Sequence, residues 1–443
     1  MVAPRSKLIW TASASLPLAL LAAVVPAAGP VCLALTGVLV LVAVADAVAA
    51  GRTLDGIGIE LPGIARMSKD RKTPLAVRVK NDSRRKKTLR IALGLPLEVQ
   101  ADVNELDVLL PGASVWSSLN WACLPRKRGR YRVKAAYVEG TSALGFWAAR
   151  KEIPVQSEIR VYPNLFIERK KLAALFLNRR ALGLHAQRQI GKGRDFEKLR
   201  EYTPGDGFDE IHWKATARRA KPITKVFQIE RTQEVYVLID ASRLSSRLTQ
   251  PGVPDSSILE RLVTAALVLG MAAERQGDLF GLLSFTDKVE TFVRARNGRS
   301  HYNTCRDALY TLHPQTVTPD YDELFTFIRL RLRRRALVIC LTSLDDPGLA
   351  ESFVKSVELI RKQHVVLVNM VRQPETAQLF TESAPELTDD LYRKLGGHLR
   401  WNKLRQLEKV LHRRGVRLSQ VEHERLSVEL VSQYLQVKQR QLL

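Results

Sequence analysis

Cysteine is scarce and badly placed for chemistry. Cys32, Cys123, Cys305 and Cys340 are the only four in 443 residues, and none has CxxC spacing. That excludes a zinc knuckle and a disulfide framework, and it fits a reducing compartment. No Gly-x-Ser-x-Gly elbow raises a nucleophilic serine. No GxxxxGK[ST] occurs either. QIGKGRDF (189–196) sets two glycines around Lys192 without a preceding strand, which reads as a flexible basic turn rather than a phosphate cradle. Acidic residues are also under-represented: 45 Asp and Glu face 69 Lys and Arg, a net charge of +24. Such an excess attracts polyanions or an anionic membrane face and says nothing about fold. Nucleic acid is not the expected partner, because the basic residues lack interleaved aromatics and no nucleic-acid-binding motif is present. The charge alone leaves it as an alternative.

What is present first is apolar length. Leu8 to Ala28 is an uncharged run, and Val31 to Ala50 nearly equals it. Each is long enough to cross ~30 Å of hydrocarbon. Gly29-Pro30 between them implies a helical hairpin over residues 1–51. Arg5 and Lys7 precede the pair, and Arg52, Arg66, Lys69, Arg71 and Lys72 follow it. The positive-inside rule then places both ends, and everything after residue 51, on the cytoplasmic side of the membrane. Asp46 is expected at the interface, where a carboxylate is tolerated.

Residues 52–163 break into short β-prone pieces separated by turn residues: 74–81, 87–93, 114–123, 129–140 and 158–163. They suggest an antiparallel β-sandwich. Trp116 and Trp121 read as core or edge packing. Residues 164–231 form a basic connector, with 16 Lys and Arg against 8 Asp and Glu. From 232 to 443 the pattern is α/β. VYVLID (235–240), LFGLLSF (279–285), RALVICLTS (335–343) and HVVLVNMV (364–371) alternate with helices, and a helical tail follows with one short strand near 416–418. A doubly wound, mostly parallel sheet is expected.

Ligands of such sheets bind at the carboxyl ends of the strands. Strand 235–240 ends in Asp240-Ala241-Ser242-Arg243-Leu244-Ser245, which resembles the DxSxS loop of von Willebrand factor A-type domains. There an aspartate and hydroxyls hold a divalent cation. Leu244 stands where a further hydroxyl belongs, and Ser343 where an aspartate is usual, with Asp345 and Asp346 just beyond. Asp240, Ser242 and Thr318 form a degenerate set that could hold Mg²⁺ weakly through waters. No resident cofactor is expected.

YTPGDGFDEIHWKATARR (202–219) is the densest stretch of functional groups. Pro204-Gly205 centres an expected type II turn. Asp209 is the expected cap of a following helix, with Lys214, Arg218 and Arg219 toward its C-terminal end. Asp209 and His212, three apart on that helix, would also suit a general base, so a hydrolase using them is an alternative. Gly193, Asp195, Phe196, Leu199, Arg200, Glu201, Tyr202, Pro204, Gly205, Asp206, Ile211, Trp213, Ala217 and Arg218 together resemble the signature of a bacterial family, domain of unknown function 58. Hairpin, sandwich, signature and A-like domain follow in that family's order. Members often carry arginine at the place of Asp209, and an acid or amide at that of His212. The chain is read as a non-enzymatic, membrane-anchored interaction protein, and the resemblance implies a role in a membrane complex. Its partners would be a MoxR-type AAA+ ATPase and other membrane proteins with A-type domains, in assembly or activation of envelope or metalloenzyme partners. Arg200, Tyr202, Gly205, Asp206, His212, Trp213, Lys214 and Arg218 are the expected recognition residues, and anionic lipid headgroups the expected neighbours of the basic surface.

Overall fold

The computed structural model describes residues 1–25, 29–83, 86–112, 115–181, 190–204, 207–228, 233–249, 257–373, 376 and 388–440. The chain divides into two units, Met1–Asn164 and Leu165–Leu443.

The first unit opens with strand β1 (Val2–Pro4), then helices α1 (Ser6–Ser13), α2 (Ser15–Val24) and α3 (Gly29–Gly51). Only α3 is long and apolar enough to cross a membrane among the described residues, at 23 residues and mean hydropathy 2.5. The earlier run, expected as a second span, is two short helices that meet at Ala14. Pro17 has no N–H for the carbonyl of Ser13, and the Ser13 and Ser15 hydroxyls bond to the carbonyls of Trp10 and Ala12 instead. Leu33, Val38, Leu41, Val44 and Val48 of α3 are exposed. Asp46 is not merely interfacial. It is buried, and accepts hydrogen bonds from the Ser142 hydroxyl at 2.6 Å and the backbone N–H groups of Leu144 and Phe146.

The sandwich strands are β2 (Ile57–Glu60), β3 (Ile64–Ser68), β4 (Thr73–Asn81), β5 (Lys87–Leu93), β6 (Val99–Ala101), β7 (Glu105–Leu110), β8 (Trp116–Pro125), β9 (Gly129–Thr141) and β10 (Trp147–Tyr162). One sheet runs β1-β10-β9-β5-β7, with β3 also on β10, and the other β2-β4-β8-β6. All pairs are antiparallel except β3 with β10, so the sandwich is not purely antiparallel. Strict alternation builds the core. In β4, Leu75, Val77 and Val79 point inward while Pro74, Ala76 and Arg78 face out. Trp121 is core and Trp116 lies exposed at the edge.

The second unit begins with α4 (Phe166–Ala181) and a two-stranded antiparallel ribbon, β11 (Ile190–Glu201) and β12 (Ile223–Gln228), which flank α5 (Trp213–Arg219). The expected basic turn at 189–196 therefore runs into a strand, its backbone held by pairing with β12. The α/β layer follows: β13 (Glu234–Asp240), α6 (Ile258–Arg275), β14 (Leu279–Phe285), β15 (Val289–Arg296), α7 (Arg299–Leu309), α8 (Tyr321–Arg331), β16 (Leu337–Leu341), α9 (Pro347–Ser356), β17 (Val365–Val371), α10 (Thr388–Arg413), β18 (Arg417–Val421) and α11 (Leu426–Gln439). Strand order is β15-β14-β13-β16-β17-β18. All pairs are parallel except β14 with β15, an edge hairpin absent from the sequence expectation. Val235, Val237 and Ile239 of β13 pack with α6 and α11, while Tyr236 and Leu238 pack with α8 and α9. Burial on both faces is why these strands read as continuous apolar runs.

Candidate recognition surface and strand-end network

The signature stretch is a closed knot of backbone. The N–H of Tyr202 bonds to the carbonyl of Pro222 at 2.9 Å, and that of His212 to the carbonyl of Ile223 at 2.7 Å. Ile211 bridges to Thr224, and the N–H of Ile223 donates to Thr216 Oγ1 at 3.0 Å. Ile211, Ile223 and Thr224 are buried beneath it. The Arg200 guanidinium bonds to the Thr203 hydroxyl. Above this base, Phe208 is 77% exposed and Trp213 69%, and Tyr202 stacks on Phe208 with ring centroids 6.2 Å apart. Gly205 and Asp206 lie outside the described residues, as do the side chains of Gly193, Asp195 and Phe196.

Three expectations about this stretch are corrected. Asp209 does not cap the helix, because Phe208–Glu210 forms a separate 3-10 turn and Ile211 is extended. His212 is the cap, its Nδ1 accepting from the N–H of Ala215 at 3.0 Å. Asp209 and His212 therefore do not share a helical face, and no hydrogen bond joins them among the described residues. Lys214 stands in the first helical turn rather than toward the end, since α5 starts at Trp213. Arg218 and Arg219 do occupy the last turn, where the helix dipole favours cations. The helix closes on Ala220 in the left-handed region, φ 53°.

At the carboxyl end of β13, Asp240 is buried and both its oxygens are engaged. Oδ1 accepts from the N–H of Ser242 at 2.8 Å, and Oδ2 from the Thr342 hydroxyl at 2.6 Å. Thr342 Oγ1 in turn lies 2.9 Å from the buried phenol of Tyr321. Thr342 donates its one hydroxyl proton to Asp240, so Tyr321 donates to Thr342. Burial pushes the Asp240 carboxyl above its ordinary value, against the pull of its Ser242 and Thr342 hydrogen bonds. Ser242 is fully buried and its hydroxyl caps the following turn. The loop before Thr318 does lie beside this end, with the carbonyl of Val317 accepting from the N–H of Arg243. Thr318 itself is exposed. Asp345 bonds to Arg247 at 3.1 Å, and Asp346 caps α9. Among the described residues no three His, Cys, Asp or Glu side chains gather to hold a metal. Thr342, Tyr321 and Phe208 were not singled out in the sequence. Thr342 could have been, as the first polar residue after the apolar run of β16.

Residues 198–391 match the model of a family described as protein of unknown function DUF58. Uncharacterized proteins of Mycobacterium bovis and Mycobacterium tuberculosis are 25% identical to the chain over 191 residues, 43% of this chain and 58% of theirs. The chain thus spans little more than half the length of these relatives. Among solved structures, the conserved hypothetical protein BatB from Bacteroides thetaiotaomicron is similar at 17% identity and TM-score 0.30, covering 47% of this chain and 99% of that one. An aerotolerance-related membrane protein from Bacteroides fragilis is similar at 15% identity and TM-score 0.27, covering 45% and 97%. The region that matches this family model takes in the signature from Leu199 onward and the parallel sheet through β17.

Proposed function

We propose that this chain is a non-enzymatic, membrane-anchored interaction protein whose signature stretch is read by a partner protein. The observation that carries this is Phe208 and Trp213, standing open on a backbone that its own hydrogen bonds have already closed. Large aromatics on a rigid base serve as anchors, because little conformational entropy is lost when they are covered. Lys214, Arg218 and Arg219 beside them favour an acidic counter-surface. By resemblance, that partner is a MoxR-type AAA+ ATPase, acting with other A-type-domain membrane proteins in assembly or activation of envelope or metalloenzyme partners. His212 spends Nδ1 on capping, and Asp240 is sealed at the strand end. Both arrangements suit holding shape rather than turnover or cation binding.

In the same reading α3 spans the cytoplasmic membrane and α1–α2 is the opposing limb of a hairpin. Support comes from the two ends of the apolar region. Val2–Pro4 pairs with β10, and Asp46 of α3 is held by the turn that leads into β10. Both ends therefore lie on one side, together with Arg5, Lys7 and Arg52, which meet anionic headgroups at the cytoplasmic leaflet.

The test is crosslinking in native membranes, comparing the wild-type chain with Trp213→Ala. Loss of an ATPase-containing set of neighbours in the variant is expected, and an unchanged set overturns the recognition role. Labelling of Leu97→Cys by an impermeant maleimide in intact spheroplasts would overturn the cytoplasmic orientation.

A further inference from the structure

We infer that the first half of α10 docks on an anionic lipid leaflet, its apolar stripe among the acyl chains and the helix's cations on the headgroups. The inference rests on the membrane location proposed above and adds a second contact to it. Gly415 turns the chain from α10 straight into β18, so the helix runs back along that strand. α10 has 26 residues and β18 has 5. At ~1.5 Å per helical and ~3.3 Å per strand residue, roughly 20 Å of helix projects past the strand. Burial agrees with this. Leu404 and Leu411 of the second half lie in the core with Val368 and Leu418. Of the described residues 391–400, only Gly397 is buried.

The projecting half is apolar on its outer side. Leu391, Tyr392, Leu395 and Leu399 are exposed, Tyr392 at 69% and Leu399 at 54%. At ~100° per residue these four share about 100° of the helix circumference, nearly opposite Leu404 and Leu411. The face that meets the protein's own core is thus already used, and the stripe is a separate contact site.

Charge selects the occupant. Arg393 pairs with Asp390 at 3.5 Å, Arg405 lies over the Trp401 ring, and Lys394 and Arg400 have partners as well. Lys403, Lys409 and Arg413 have no such partner among the described residues. By the helical repeat, Lys409 and Arg413 continue the stripe's own sector toward the C-terminus, and Lys403 flanks it. The acids Asp390 and Glu408 share a sector ~150° from the stripe's centre. The occupant must therefore supply apolar depth and negative charge over one broad face, as an anionic leaflet does. Tyr392 suits the boundary between the two. Each basic group near such a surface strengthens association about fivefold. A tether at α3 keeps the helix within reach of the leaflet.

The test places the full-length chain, one per nanodisc, in phosphatidylcholine alone or with roughly a third phosphatidylserine. A helix half without packing opens readily, so docking should slow amide exchange of residues 391–399 at least ~10-fold in the anionic disc. The slowing should vanish in Leu395→Glu and shrink in Lys403→Glu/Lys409→Glu and at high salt. Leu395 is exposed, so the 235–240 amides should exchange as in the wild-type chain and report an intact sheet. Equal exchange in the two discs, or slowing that survives Leu395→Glu, overturns the inference and leaves the anchoring by α3 standing. Slowing that grows with disc concentration marks contact between copies and overturns it too. A chain that does not enter the discs overturns the membrane location and this inference with it. The Trp213→Ala chain should behave as wild type, so this inference and the recognition role of the signature stretch fail separately.

Discussion

Replacing Thr342 by Val keeps a β-branched shape in β16's terminal loop but removes the central hydroxyl of the Tyr321–Thr342–Asp240 chain. Thr342 Oγ1 lies 2.6 Å from Asp240 Oδ2 and 2.9 Å from the Tyr321 phenol, with all three side chains buried. Loss of a hydrogen bond to a charged acceptor costs about 1.5–3 kcal/mol, and a stranded buried phenol adds about 1–3 kcal/mol. Thr342→Val should therefore destabilise the sheet by roughly 3–5 kcal/mol. Tyr321→Phe alone removes only the outer bond and leaves Thr342 donating to Asp240, so it should cost about 1 kcal/mol. On the T342V background the same Tyr321→Phe change removes an orphan group. It should then be neutral or stabilising, a change of sign that a double-mutant cycle detects. Native-state amide exchange of residues 235–240 and 337–341 in the full-length chain reads the opening free energy of this sheet directly. If Tyr321→Phe costs the same on both backgrounds, the three groups do not form one chain and the assigned donor directions are wrong.

Four further outcomes follow from the same geometry. Burial raises Asp240 above its ordinary 3.8, so its contribution to stability is fully present below that value and is lost as pH rises through the raised one. Exchange-derived stability of β13 should thus decline with pH less steeply in Asp240→Asn than in the wild-type chain, and equal slopes would contradict this. His212→Ala should weaken α5 by about 1 kcal/mol and His212→Asn should restore most of it, as read from exchange of the 215–219 amides. A His212→Asn chain as weak as His212→Ala would mean that His212 is not a cap. Ala220→Gly relieves a left-handed alanine and should strengthen α5 by a few tenths to about 1 kcal/mol in that assay. Asp46→Ala strands the Ser142 hydroxyl and two backbone N–H groups, so the amides of Leu144 and Phe146 should exchange at least ~10-fold faster.

The sequence by itself determined the elements that depend on local pattern. Uncharged length marked α3, and short β-prone pieces bounded by turn residues marked β4, β8 and β9. The buried runs 235–240, 279–285, 335–343 and 364–371 marked four strands of a parallel sheet. It also located Asp240 and Ser242 at one strand end and the dense stretch that follows Tyr202. Tertiary structure decided what depends on partners far along the chain. The strand character of 190–201 comes from pairing with 223–228, and that of 289–296 from folding back on β14, where period-two burial is weak. Asp209 lost the cap to His212 because Ile211 is drawn into a bridge with Thr224, which moves the helix start by several residues. Thr342 became Asp240's partner across 102 positions, and Ser142 became Asp46's partner across 96. A buried carboxylate must find donors wherever the fold supplies them, and composition and spacing cannot say which distant residues those are.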